Sequence, residues 1–181
     1  MKGGSHTGIS LVIPYLSRSA YTAVFPPTGC SLPKAWPRRA RRLWQWTGSW
    51  TWQRAAPRFL RQPEIAQLVM AALRDGDRKF HRYQLHAFVV MPNHVHLLVT
   101  PSVIATRWLG PLKGLTSYQA NELLGTHGRA YWQDKSYDHL VRSDVEFERV
   151  RVYIERNPIT AGLVTAPERF RWSSASGRDA A

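Results

Sequence analysis

His94 and His96 stand two residues apart in Met91-Pro92-Asn93-His94-Val95-His96-Leu97-Leu98. In an extended strand, alternate side chains share a face and lie roughly 6.5–7 Å apart along the chain. Two neutral imidazoles on one rigid strand can chelate a divalent metal. The same spacing also describes an ordinary exposed polar face, so a metal reading needs further ligands. Tyr153 and Asn157 are four residues apart in a helical pattern and stack on one side of it. A tyrosine beside a metal is a candidate nucleophile toward phosphate. Its phenol has an ordinary pKa near 10, so ionisation at pH 7 costs about 4 kcal/mol, and a metal helps by drawing charge off the phosphoryl oxygens. Two imidazoles and an amide, without a thiolate, suit Mg²⁺ or Mn²⁺. The competing readings are a packed helix tyrosine and a helix-end asparagine.

The elements that must position these residues follow from the apolar patterning. Leu85–Val90 and Val95–Val99 flank a Pro-Asn punctuation and predict a β-hairpin. Pro63–Arg74 carries apolar residues Ile65, Leu68, Val69, Ala72 and Leu73 at helical spacing, ending near Asp75-Gly76. Thr106–Leu124 reads as a helix with Pro111 and Gly114 near its start. Lys113, Ser117 and Asn121 share one of its faces. Ser136–Arg142 reads as a short strand. Asp144 is placed to cap a last helix with Phe147, Val150 and Ile154 as its core stripe, stopped at Asn157-Pro158. Leu43–Gln53 alternates Trp44, Trp46, Trp50 and Trp52 with other residues, which suggests a strand with one aromatic face. Either that face packs on helices, or it stacks bases of single-stranded nucleic acid. The resulting order, β-α-β-β-α-β, predicts an α+β, ferredoxin-like split βαβ fold: an antiparallel sheet, helices on one face and a ligand face opposite.

The chain has 181 residues, 44 % of them apolar, and a net charge of +13. That length suits about one domain with a real core. The charge suggests a polyanionic partner and is uneven. Residues 1–63 hold ten Lys or Arg and no acid, whereas the remaining 118 carry a net of only +3. Arg38, Arg39, Arg41 and Arg42 form the densest basic patch, either a solvated tail or a nucleic-acid contact. Residues 1–42, rich in Gly, Pro and Arg, read as a poorly ordered N-terminal extension, with a single domain over 43–181. Cys30 is the sole cysteine, which excludes an internal disulfide or a cysteine zinc site and suggests a reducing, cytoplasmic setting. No apolar run approaches the ~20 residues a membrane span needs. Ile9–Leu16 is short, is broken by Pro14, and makes a weak secretory signal.

Residues 91–98 resemble the HUH motif of the single-tyrosine transposases, in the branch of REP-associated tyrosine transposases. The resemblance continues through Leu112-Lys113-Gly114, Asn121, Trp132-Gln133, Tyr137-Asp138-His139 and Arg142. It extends to Tyr153-Ile154, Asn157-Pro158, Ala161-Gly162-Leu163-Val164 and Trp172-Ser173-Ser174, and covers roughly Phe59–Ser174. It implies a ferredoxin-like sheet, metal binding by His94 and His96 with Asn157 completing the site, and attack by Tyr153 on a DNA phosphodiester. The product would be a 5′-phosphotyrosine link and a free 3′-hydroxyl, and the substrate a single-stranded DNA hairpin of the REP kind. It also implies Mg²⁺ or Mn²⁺, a monomer or homodimer, no membrane, and phosphate contacts from Lys113 and Arg142. Such proteins begin with a strand near their start; here the expected segment is Leu43–Gln53. Two other readings remain: a decayed copy that grips DNA hairpins without cutting them, and a metal nuclease that activates water.

Overall fold

The Pro92-Asn93 turn joins two strands of a computed structural model that describes residues 8–14, 59–132 and 137–176. The strands are β2, Tyr83–Met91, and β3, His94–Pro101. They pair antiparallel with Met91 opposite His94, so the expected hairpin forms around a two-residue turn. A register shift between Leu85 and Ala87 marks a bulge at His86.

The first strand, β1, is Gly8–Pro14, which pairs antiparallel with β3 and with β4, Tyr137–Val141. This corrects the expected strand over Leu43–Gln53, which lies outside the described residues. The sheet draws its first strand from within residues 1–42, from the apolar run Ile9–Ile13. The physical reason is pairing on both sides: a short run between Gly8 and Pro14 carries little local signal. The strand order is β2-β3-β1-β4, that of the expected ferredoxin-like α+β sheet.

Helix α1, Pro63–Arg78, starts with proline in its first turn, where a missing N–H costs nothing. It runs past Gly76 instead of ending there. Gly76 is buried in its last turn because the Tyr83 ring packs against its backbone; a Cβ there would lie 2.2 Å from the Tyr83 hydroxyl. That hydroxyl donates to the Leu73 carbonyl at 2.9 Å, and burial raises its pKa. Helix α2, Thr106–Leu124, contains Pro111 and closes on Gly125 with a left-handed φ of 62°. Both helices lie on one face of the sheet. There Ile65, Val69, Leu73, Trp108 and Ala120 pack with Phe88, Val90, Val95, Leu97 and Val99.

Helix α3, Asp144–Thr160, covers part of the other face. Its cap is Ser143, whose hydroxyl accepts from Glu146 N–H, while Glu146 reaches back to Arg142 N–H. Asp144 is therefore the first helical residue and not the cap. The helix also continues through Pro158 to Thr160. A proline this close to the end removes one backbone bond and leaves little helix beyond it to disrupt. Ile154 is fully buried against Ala87, Val89, Met91 and Leu98, with Phe147 and Val150 packed beside it. The expected ligand face is thus occupied in part by this helix. The tail then returns to the β2 edge, where Val90 N–H donates to the Trp172 carbonyl at 2.8 Å and Ser173 bridges Val89.

Candidate active site

Alternation along β3 sends Val95, Leu97 and Val99 toward α1 and α2, and His94, His96 and Leu98 toward α3. His96 is 1 % exposed and His94 half-buried. Their Nε2 atoms stand 2.9 Å apart. Asn157, brought in by α3, places its amide Nδ2 3.3 Å from His96 Nε2. The Tyr153 ring, one turn earlier on the same helix, meets His96 edge-on with centroids 5.7 Å apart. Residues from two elements far apart in sequence therefore converge as expected. Because α3 runs through Pro158, Asn157 keeps helical geometry and faces the same side as Tyr153, about 40° away around the axis.

The flanking amides favour one tautomer of each ring. Asn93 Oδ1 lies 2.7 Å from His94 Nδ1; an amide oxygen only accepts, so Nδ1 carries the proton and Nε2 a lone pair. With the Asn157 amide turned this way, its Nδ2 donates and His96 Nε2 accepts. Burial pushes the His94 imidazole down to about 4. Burial, and then the neighbouring His94, hold His96 well below its ordinary value. Two neutral rings thus bring their Nε2 atoms to one point, at a separation satisfied by a shared proton or by a cation between them. The donor set is two imidazoles and one amide: among the described residues no group of three His, Cys, Asp or Glu side chains could hold a metal.

The other expected contact residues are not drawn to this point. Lys113 lies on α2, across the sheet from the histidines. Arg142 stands just before α3, its backbone N–H held by Glu146. Arg38, Arg39, Arg41 and Arg42 lie outside the described residues. Asn121, which shares a face with Lys113, serves the end of its own helix: its side chain donates to the Arg129 carbonyl and accepts from Thr126. Sequence reasoning missed Asn93, which it read only as turn punctuation. An amide directly before a metal-type histidine is a usable signal, because ligand imidazoles need a partner on their second nitrogen.

The family model for IS200-like transposases matches residues 60–157, a span that includes both histidines, Tyr153 and Asn157. The chain belongs to the IS200-like transposase family. This transposase also resembles a solved structure of a REP-associated tyrosine transposase bound to a REP hairpin. The TM-score is 0.52 at 16 % identity, over 99 % of this chain and 83 % of that one. The likeness supports the ferredoxin-like fold. No curated protein matches the transposase chain. Among its described residues no helix is long and apolar enough to cross a membrane.

Proposed function

We propose that this transposase cleaves and rejoins single-stranded DNA at folded hairpins, with Tyr153 as nucleophile and Mg²⁺ or Mn²⁺ held by His94, His96 and Asn157. The observation that carries the reading is the convergence of the two Nε2 atoms, 2.9 Å apart, with Asn157 and Tyr153 against His96. Two imidazoles and an amide, with no thiolate, would hold Mg²⁺ or Mn²⁺, which would supply Lewis-acid chemistry there. A half-turn of the Asn157 amide presents its oxygen in place of its nitrogen. The hairpin substrate rests on the family and on the hairpin bound to the structural relative.

The bound ion would withdraw charge from the phosphoryl oxygens, worth several kcal/mol. The chain's own groups do the rest. Asn93 holds the His94 ring in the tautomer that binds. Tyr153 is half-buried, and its phenol gives up its proton as it attacks. Its oxygen bonds to phosphorus as the bond to the 3′-oxygen breaks; that oxygen leaves as a 3′-hydroxyl, taking up a proton. The 5′-phosphotyrosine conserves the phosphodiester energy, so the reverse attack by a 3′-hydroxyl rejoins DNA without ATP. Lys113, Arg142 and the Arg38–Arg42 patch supply counter-charge along the DNA backbone.

The test is purified protein, a REP-type hairpin oligonucleotide and Mn²⁺, resolved on denaturing gels. A covalent protein–DNA adduct is expected, abolished by Tyr153→Phe and by EDTA. An adduct that persists in Tyr153→Phe overturns the nucleophile. Cleaved DNA carrying no protein would select a water-activating nuclease.

A further inference from the structure

Tyr153 and Asn157 occupy one flank of α3, and a second polar cluster occupies the other. Counted at about 100° per residue from Tyr153, Asn157 lies near 40°, Ile154 near 100°, Arg151 near 160° and Glu155 near 200°. Ile154, fully buried, is the keel of the helix on the sheet. On the far flank Glu155 is 7 % exposed. Its Oε2 accepts from Arg151 Nη1 at 2.7 Å, and its Oε1 lies 3.3 Å from the Ser174 hydroxyl. That hydroxyl also accepts from Phe88 N–H at 3.1 Å and sits 3.3 Å from the Phe88 carbonyl. Ser174 therefore joins the edge strand β2 to the helix that carries the candidate nucleophile.

We infer that Glu155 and Ser174 are positioning residues: their contact sets the roll of α3 about Ile154, and so where the Tyr153 phenol stands beside His96. The inference rests on the reading of Tyr153 as nucleophile. An apolar keel alone resists lifting but not rolling, because dispersion contacts are non-directional. A directional hydrogen bond on one flank supplies what the keel lacks. The lever is short and sensitive. An atom about 6 Å from the helix axis moves about 1 Å for a roll of about 10°, and a 1 Å misplacement at a reacting centre can cost on the order of 100-fold in rate. The tail is well fixed for the task, since Trp172 and Ser173 are bonded along β2 on the N-terminal side of Ser174.

The experiment uses the full chain with 3-fluorotyrosine at position 153, so that the ¹⁹F shift reports the ring's place beside the His96 imidazole whether or not the protein is active. In Ser174→Ala the ¹⁹F resonance should shift or broaden. The rate of adduct formation at saturating hairpin and Mn²⁺ should fall tenfold to 100-fold, with hairpin Kd unchanged within twofold. Glu155→Ala should do the same, and the double variant should be no worse than the poorer single one, because both changes remove one contact. An unmoved ¹⁹F shift in both single variants, or additive losses in the double variant, overturns the inference. If the unaltered protein forms no adduct, the nucleophile reading fails, and the ¹⁹F arm still decides the positioning role. A Ser174→Ala protein that does not fold leaves Glu155→Ala to carry both arms.

Discussion

The two faces of the sheet are built from the same strands and do opposite work. On the α1 and α2 side the filling is apolar and aromatic: Tyr83 meets Trp108 edge-on at 4.6 Å, and Tyr131 meets Trp132 at 4.9 Å. Polar groups on that side serve structure, as when Trp132 Nε1 donates to Thr116 at 2.8 Å. On the α3 side a smaller apolar cluster is bordered by two neutral histidines, Asn157 and Glu155, all well buried except half-buried His94. Burying polar groups is costly unless they are paired. Both sides carry some of that cost: the α1 and α2 side buries Trp108 Nε1 without a hydrogen-bond partner among the described residues, and the α3 side gathers its polar groups into a constellation that can do chemistry. One strand, β3, feeds both, so the division between stability and function falls between adjacent residues.

Neighbours His96 and Leu97 give the sharpest way to break this contrast. Leu97→Ala should destabilise by about 2–5 kcal/mol, because its fully buried side chain leaves a cavity. At this size that lowers Tm by about 5–15 °C. It should keep the rise in Tm that saturating Mn²⁺ gives. His96→Ala should abolish that metal-induced rise, worth about 2.7 kcal/mol at 100-fold excess over Kd. Thermal melts with and without Mn²⁺ measure both, and a Leu97→Ala protein that lost the metal response while His96→Ala kept it would reverse the assignment of the faces.

Acid should act on the α3 side first. The unfolded His94 imidazole takes a proton near 6.5, whereas the folded one resists down to about 4. Across that window the unfolded state binds more protons, so stability of the metal-free protein is full above about 6.5 and drops as pH falls toward 4. Melts of EDTA-treated protein should show Tm falling over this range, with a shallower slope in His94→Ala; an equal slope in the two proteins would deny the imidazole its part. The smallest expected effect is Ser143→Ala, which removes the α3 cap. It should cost about 1 kcal/mol, or about 2–4 °C, read in the same melts.

How legible each part was depended on how local its cause was. The β2–β3 hairpin could be read because alternation, β-branched residues and the Pro-Asn turn act within a few residues of one another. Helix α1 was legible at its start and misread at its end, since the reason Gly76 sits inside it is the Tyr83 ring, which arrives from the next strand. The cap of α3 was placed one residue late because Ser143 and Asp144 are both good caps, and only the observed bond to Glu146 N–H chooses. His94, His96, Tyr153 and Asn157 were legible as types and spacings. Asn93, Glu155 and Ser174 were not, because their roles consist of contacts with partners rather than of a pattern.

The amino-acid order by itself determined the hairpin, the facing of the two imidazoles, the helical spacing of Tyr153 and Asn157, and a strongly basic chain. Those follow from backbone periodicity and charge, which need no distant neighbour. Only the tertiary structure decided that Gly8–Pro14 supplies the first strand, that α3 crosses the histidine face, and that Asn157 and Tyr153 come up against His96. Each of these depends on a long loop being closed against its entropy by contacts that exist only once the sheet has formed.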